Sequence, residues 1–242
     1  QLLNWIAQQK HDQKFFYSND DRTEEVACIG YCEYESITSQ ETQIAVLKKV
    51  EKNIKTIKQS RYYLSLAFNP SQAPDPLWTP FQQGFAFLPA LELKQTKDQA
   101  VLSVYLKGEK NYCNDLIRII ENLVEDDQKK PVDPIPLELV THQPNQDQWL
   151  AQVQTVLEKI DEKSLEKVVL SRKSTFRSET ICCPFQMMQA LYEKGSNTYH
   201  FVFQHKTDWA FIGGTPEQLY QRQGNRIQTE SLAGTKPRGK TP

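Results

Sequence analysis

The last residues of the chain carry its most conspicuous chemical spacing. Gly234 to Thr241 reads GTKPRGKT, which satisfies Gly-x4-Gly-Lys-Ser/Thr, a loop whose backbone N–H groups cradle nucleotide phosphates. That chemistry needs a buried parallel strand before the loop, a helix after it and a metal-binding aspartate on a later strand. The preceding NRIQTESLA instead alternates like one arm of a hairpin, Pro237 stiffens the loop, and the sequence stops at Pro242. ATP or GTP is therefore not the expected ligand. His200 and His205 raise a metal site, but in the strand-like run YHFVFQH a separation of five sends the two rings to opposite faces. Cys28, Cys32, Cys113, Cys182 and Cys183 make an odd count with no CxxC pair and no zinc-type spacing. Ordinary thiols in a reducing compartment are expected.

Four other segments act together: EKVVLSRK at 166–173, FIGGTPEQLYQR at 211–222, RIQTESLAGT at 226–235 and KPRG at 236–239. In this order and at these spacings they resemble the chorismate-utilising enzymes, which include isochorismate, salicylate, anthranilate and aminodeoxychorismate synthases. The resemblance is strong from about residue 148 to residue 242. Before that it is weaker but colinear: FFYSNDDRTEEVACIGYCEYES and FAFLPALEL resemble the amino-terminal half of menaquinone-pathway isochorismate synthases.

The resemblance implies an α+β fold of large antiparallel sheets wrapped by helices. It also implies a reaction in which a nucleophile adds at C2 of the chorismate ring while the C4 hydroxyl leaves, with Mg2+ as cofactor holding a substrate carboxylate. Such a reaction needs a base and an acid. By resemblance Lys167 is the water-activating base. A base must be neutral, so a lysine of ordinary pKa ~10.4 has to be lowered to roughly 7–8 by burial or nearby positive charge. By position alone, Lys167 reads as a solvent-facing lysine at the start of a strand. Glu217 is by resemblance the acid for the departing hydroxyl. It follows Thr215 and Pro216, which are expected to cap and begin a helix, so Glu217 also reads as a favourable first-turn carboxylate. Leu232, Ala233, Gly234 and Thr235 resemble the substrate-lining turn, and Gly234 suits a close backbone approach.

Two positions point to water as the nucleophile. Aminodeoxychorismate synthases typically carry a nucleophilic lysine where this chain has Ala233, and ammonia-using relatives usually have Gln in place of Lys167. Ser231, where the salicylate type commonly has proline, favours isochorismate. The resemblance places the Mg2+-binding glutamates on segments that follow KPRG, so no metal ligand is expected in this chain. The chain ends inside a Gly/Pro/basic loop without a closing element, which reads as truncation. The missing carboxy-terminal half of the same enzyme is then a partner, and this portion alone is expected to be inactive. The enzyme alternative is a salicylate synthase; a non-catalytic scaffold is the other.

Elements that would position these residues follow from periodicity. A strand is expected at 26–34, and a helix over 40–58 with its apolar stripe at Ile44, Leu47, Val50, Ile54 and Ile57. Strands follow around Tyr62 to Phe68, Phe85 to Leu93 and Ala100 to Leu106, and a helix around 111–124 closes this half. Consecutive strands favour an antiparallel sheet. EDDQKKPVDPIP carries charge and three prolines, which sets a linker between roughly 125 and 145 and a division into 1–140 and 141–242. Beyond it come a helix through Leu150 to Ile160, a strand in KVVLSRKS, a helix at 184–194, strands at 198–204 and 209–213, and a hairpin turned at Gly224-Asn225.

Composition excludes other classes. The 242 residues are enough to bury a sizeable core, roughly 70–75% of the unfolded surface. The 29 basic residues against 30 acidic ones give a net charge of −1, without the basic footprint of a nucleic-acid binder. No apolar run approaches the roughly 20 residues of a membrane span, and QLLNWIAQQK is not a signal peptide. The compartment expected is the cytoplasm, with a plastid as the alternative.

Overall fold

The computed structural model describes residues 2–57, 59–69, 71–72, 75–106, 110–123, 135–195, 197–232 and 234. In chain order they form α1 (Leu2–Gln8), β1 (Lys14–Ser18), β2 (Glu24–Ile37), α2 (Gln40–Thr56), β3 (Tyr63–Leu66), a 3-10 helix (Pro76–Phe81), β4 (Gly84–Thr96), β5 (Ala100–Val104) and α3 (Lys110–Glu121). There follow β6 (Glu138–Gln143), α4 (Gln146–Asp161), β7 (Lys173–Arg177), α5 (Pro184–Lys194), β8 (Tyr199–Lys206), β9 (Trp209–Thr215), β10 (Gln221–Gln223) and β11 (Arg226–Gln228). None of the described helices is long and apolar enough to cross a membrane.

The chain divides into two compact units, Gln1–Pro131 with Cys183–Pro242, and Val132–Cys182. The division read from linker composition, at residue 140, follows the chain in order, whereas the packing does not. After Cys182 the chain returns to the first unit, where β8 pairs antiparallel with β1 from Lys14↔Gln204 to Ser18↔His200. A pairing between strands so remote in sequence leaves no trace in local composition.

The first unit is built on an antiparallel sheet of order β3-β4-β2-β1-β8-β9, with β5 paired to the second half of β4. Strand alternation gives it two different faces. Phe16, Ala27, Ile29 and Val202 meet Leu3 and Ile6 of α1 and Phe185 and Met188 of α5. Phe15 and Tyr17, the neighbours of Phe16, sit on the other face with Phe85, Phe87 and Phe203. There the Phe85 and Phe203 rings stack 4.1 Å apart. Each such ring, fully buried, contributes about 1.5–3 kcal/mol from removal of apolar area from water.

Two buried charges hold α1 at its ends. The Glu25 carboxylate accepts from the Leu2 backbone N–H at 3.0 Å and from the Tyr192 hydroxyl at 2.6 Å. Lys14 Nζ donates to the carbonyls of Ile6 (3.3 Å) and Gln9 (3.0 Å) and lies over the Phe185 ring. An anion at the first turn and a cation at the last complement the helix dipole. Burial pushes the Lys14 pKa down from its ordinary value.

The α2 helix departs from the expected stripe. Ser39 caps it in a reciprocal box with Thr42, but Val46 and Val50 are the residues that pack on Ile37 and Ala86. Ile44, Leu47, Ile54 and Ile57 are exposed. Polar contacts fix this rotation: Asn53 Nδ2 donates to Glu33 (3.1 Å) and to the Tyr62 hydroxyl (2.8 Å), and Lys49 pairs with Glu35.

Candidate active site

Glu217 lies two residues beyond β9, and the way β9 seats on β8 decides where it begins. Gly213 faces Phe201 across the pair, and an added Cβ there would stand 2.3 Å from Phe201 Cζ, so the glycine leaves the ring its place. Next along β9, Gly214 pairs with His200, which is buried with Nε2 3.2 Å from Thr198 Oγ1 and its ring 5.0 Å from Tyr192. Burial, with the Arg22 guanidinium nearby, lowers the His200 pKa from 6.5, so the ring is neutral at neutral pH. Thr215 Oγ1 accepts the Glu217 N–H at 3.1 Å. The expected helix does not follow: 216–220 has no regular structure, and Gln221 already opens β10. Thr215 thus caps a turn, because the chain must enter the β10–β11 hairpin within five residues, too few for a helix and a reversal. Glu217 is exposed.

Lys167 belongs to the second unit. There α4, capped by Asn145 and Gln148 in a reciprocal box, leads into 165–172, which contains no strand. The strand expected in KVVLSRKS begins only at Lys173. Strand β7 pairs with β6 and reaches Lys173↔Gln143. The next partner would be Pro144, which has no N–H to donate, and α4 starts two residues later. Lys167 and Val169 are exposed. The burial that a lysine base needs is not supplied by the described residues of its own unit.

Of the expected substrate-lining turn, Leu232 is half exposed and a Cβ added at Gly234 would meet nothing within 4 Å. Ala233 and Thr235 lie outside the described residues, as does the rest of GTKPRGKT. Thr229 Oγ1 donates to the Leu219 carbonyl at 3.1 Å and ties the hairpin base. The strand before this phosphate-loop spacing is β11, an exposed antiparallel arm. Among the described residues no three His, Cys, Asp or Glu side chains converge as metal ligands, and no disulfide joins any of the five cysteines. His205 stacks on Tyr34 at 5.1 Å with Nδ1 3.1 Å from the Tyr31 hydroxyl, on the aromatic face, while His200 sits beside Tyr192.

The residues that hold this region were not singled out from sequence. Arg22, in the β1–β2 turn, lays its guanidinium 4.0 Å from the centre of the Tyr192 ring and donates to the carbonyls of Tyr192 and Gly195, closing the end of α5 beneath β8 and β9. The turn itself was legible in SNDDRT, its partner 170 residues away was not.

Comparison with known proteins places these features. The chorismate binding enzyme family matches residues 1–242. The chain is 26% identical over 235 residues to the isochorismate synthase MenF of Escherichia coli strain K12, covering 96% of this chain and 51% of that protein. It is 28% identical over 194 residues to the chloroplastic isochorismate synthase 2 of Arabidopsis thaliana, covering 74% and 34%. The solved structure of the Escherichia coli menaquinone-specific isochorismate synthase MenF superposes with a TM-score of 0.65 at 23% identity, covering 92% of this chain and 48% of that one, which shows a shared α+β fold. The chain spans about half the length of the curated relatives it matches.

Proposed function

The chain belongs to the chorismate binding enzyme family, and from that premise we propose that it is part of an isochorismate synthase of the menaquinone-pathway type. The observation that carries this reading is the family match over residues 1–242 together with the isochorismate synthases among its relatives. In the proposed reaction Lys167 takes a proton from water as its oxygen bonds to C2 of chorismate. The ring double bonds shift, the C4–oxygen bond breaks, and Glu217 delivers a proton to the departing hydroxyl. Water is consumed and released, so the net change is an isomerisation, after which Lys167 and Glu217 must exchange a proton through solvent to reset. Leu232, Ala233, Gly234 and Thr235 are proposed to line the ring.

Mg2+ belongs to the proposal as the group that holds a substrate carboxylate, although the described residues contain no cluster of three side chains able to carry it. Exposed Lys167 would gain its base character only when substrate displaces water around it. Chromatography of the products formed from chorismate by the intact protein tests the reading. Isochorismate as the product supports it. Salicylate with pyruvate would assign the pyruvate-eliminating relative instead, and unchanged chorismate would leave a binding scaffold.

A further inference from the structure

A cleft in the first unit is lined by none of the residues assigned above. It opens between the turn after α1, β2 at Gly30 and α3, with a volume of about 570 Å3. That is within the roughly 300–1,000 Å3 of small-molecule sites. Its floor is apolar, with Ile119 and Leu123 partly exposed above the buried Ile29 and Ala90, and its rim carries Lys10 and Arg118, with Asp115 3.6 Å from Arg118. The floor depends on a glycine. Gly30 has a φ of +65, and a Cβ added there would stand 3.0 Å from Ile119 Cδ1 and 3.3 Å from Ala90 Cβ. Position 30 therefore needs glycine both for its backbone and for the approach of α3.

His11 also lines the cleft. Its Nδ1 lies 3.1 Å from both the backbone N and the carbonyl O of Gln13, and no partner engages Nε2 among the described residues. Burial lowers its pKa from 6.5. An apolar cavity of roughly 150 Å3 already holds a benzene ring, so this cleft has room for a substituted ring and its waters. Two cations against one carboxylate on the rim favour an anionic group there.

We propose that this cleft binds a small ring compound bearing a carboxylate, with the ring against Ile119 and Leu123 and the carboxylate toward Lys10 and Arg118.

The test is an NMR titration of the intact protein, with its isoleucine methyl groups labelled, using benzoate and its neutral analogue benzamide as probes; it needs no turnover. Benzoate should shift the Ile29 and Ile119 methyl signals saturably in the millimolar range, and benzamide should bind about fivefold more weakly. Combining Lys10→Glu with Arg118→Glu, both on the exposed rim, should weaken benzoate by about tenfold, the scale of two exposed charge contacts, and leave benzamide nearly unchanged. Absence of saturation at Ile29 and Ile119 would overturn the site. Equal binding of the two probes to the unmodified protein would overturn the carboxylate assignment, and that comparison stands even if the double variant fails to fold.

Discussion

Glu217 is held by its backbone, with its N–H taken by the Thr215 hydroxyl in a turn, and no helix N-terminus stands behind its carboxylate. Glu217→Gln keeps the size and most hydrogen bonds of the side chain but cannot deliver a proton. In the intact protein kcat should fall by about 10²–10⁴-fold, the usual contribution of general acid catalysis, while KM moves little; a loss confined to KM would make Glu217 a binding residue. Lys167→Ala should abolish turnover and leave chorismate affinity largely in place, and near-normal kcat would remove Lys167 from the mechanism. Lys167→Gln should stop water addition and permit slow amination when ammonia is in excess. Both proposed assignments rest on an ordered set of four motifs. Taken singly, a lysine in an irregular segment and a glutamate after a proline are ordinary exposed residues, which is how the structure displays them.

Among the elements, α2 offers a direct check on packing. Val50→Ala removes two methyl groups from the contact with Ile37 and Ala86 and should cost roughly 1.5–3 kcal/mol of stability. Ile44→Ala, on the exposed line of the same helix, should cost less than about 0.5 kcal/mol beyond propensity; denaturant melts of the two variants separate them, and equal losses would contradict the rotation described here. Periodicity identified this helix, because the apolar repeat is a local signal. It placed Val50 correctly but set Ile44, Leu47, Ile54 and Ile57 inward, because the contacts of Asn53 and Lys49 with Glu33, Glu35 and Tyr62 set the rotation and are not periodic. The same contrast runs through the chain. Helix α5 and the β10–β11 turn stand where composition put them, since Pro184 begins one and Gly224-Asn225 turns the other. The strand in KVVLSRKS fails because a ladder needs a partner and Pro144 ends it. Gly213→Ala should destabilise the β8–β9 pair by about 1–3 kcal/mol, through overpacking against Phe201.

For the whole molecule, three histidines share one response to acid. Burial lowers the pKa of His11, His200 and His205 below the ordinary 6.5. Below about pH 6.5 the unfolded chain therefore binds protons that the folded chain does not, and stability falls as pH falls. The melting temperature should drop between about pH 6.5 and 5, and His200→Gln should flatten that slope; an unchanged slope would assign the acid limb to other groups. The sheet that buries His200 also carries β9, which ends two residues before Glu217. The central claim concerns chemistry at C2 and C4 of chorismate by the whole protein, of whose curated relatives this chain spans about half. Mass spectrometry of the product formed by the intact protein from chorismate in oxygen-18 water tests it most directly. The account predicts isochorismate carrying a single heavy oxygen, located at C2. A product with unlabelled oxygen at C2 would contradict water addition with loss of the C4 hydroxyl.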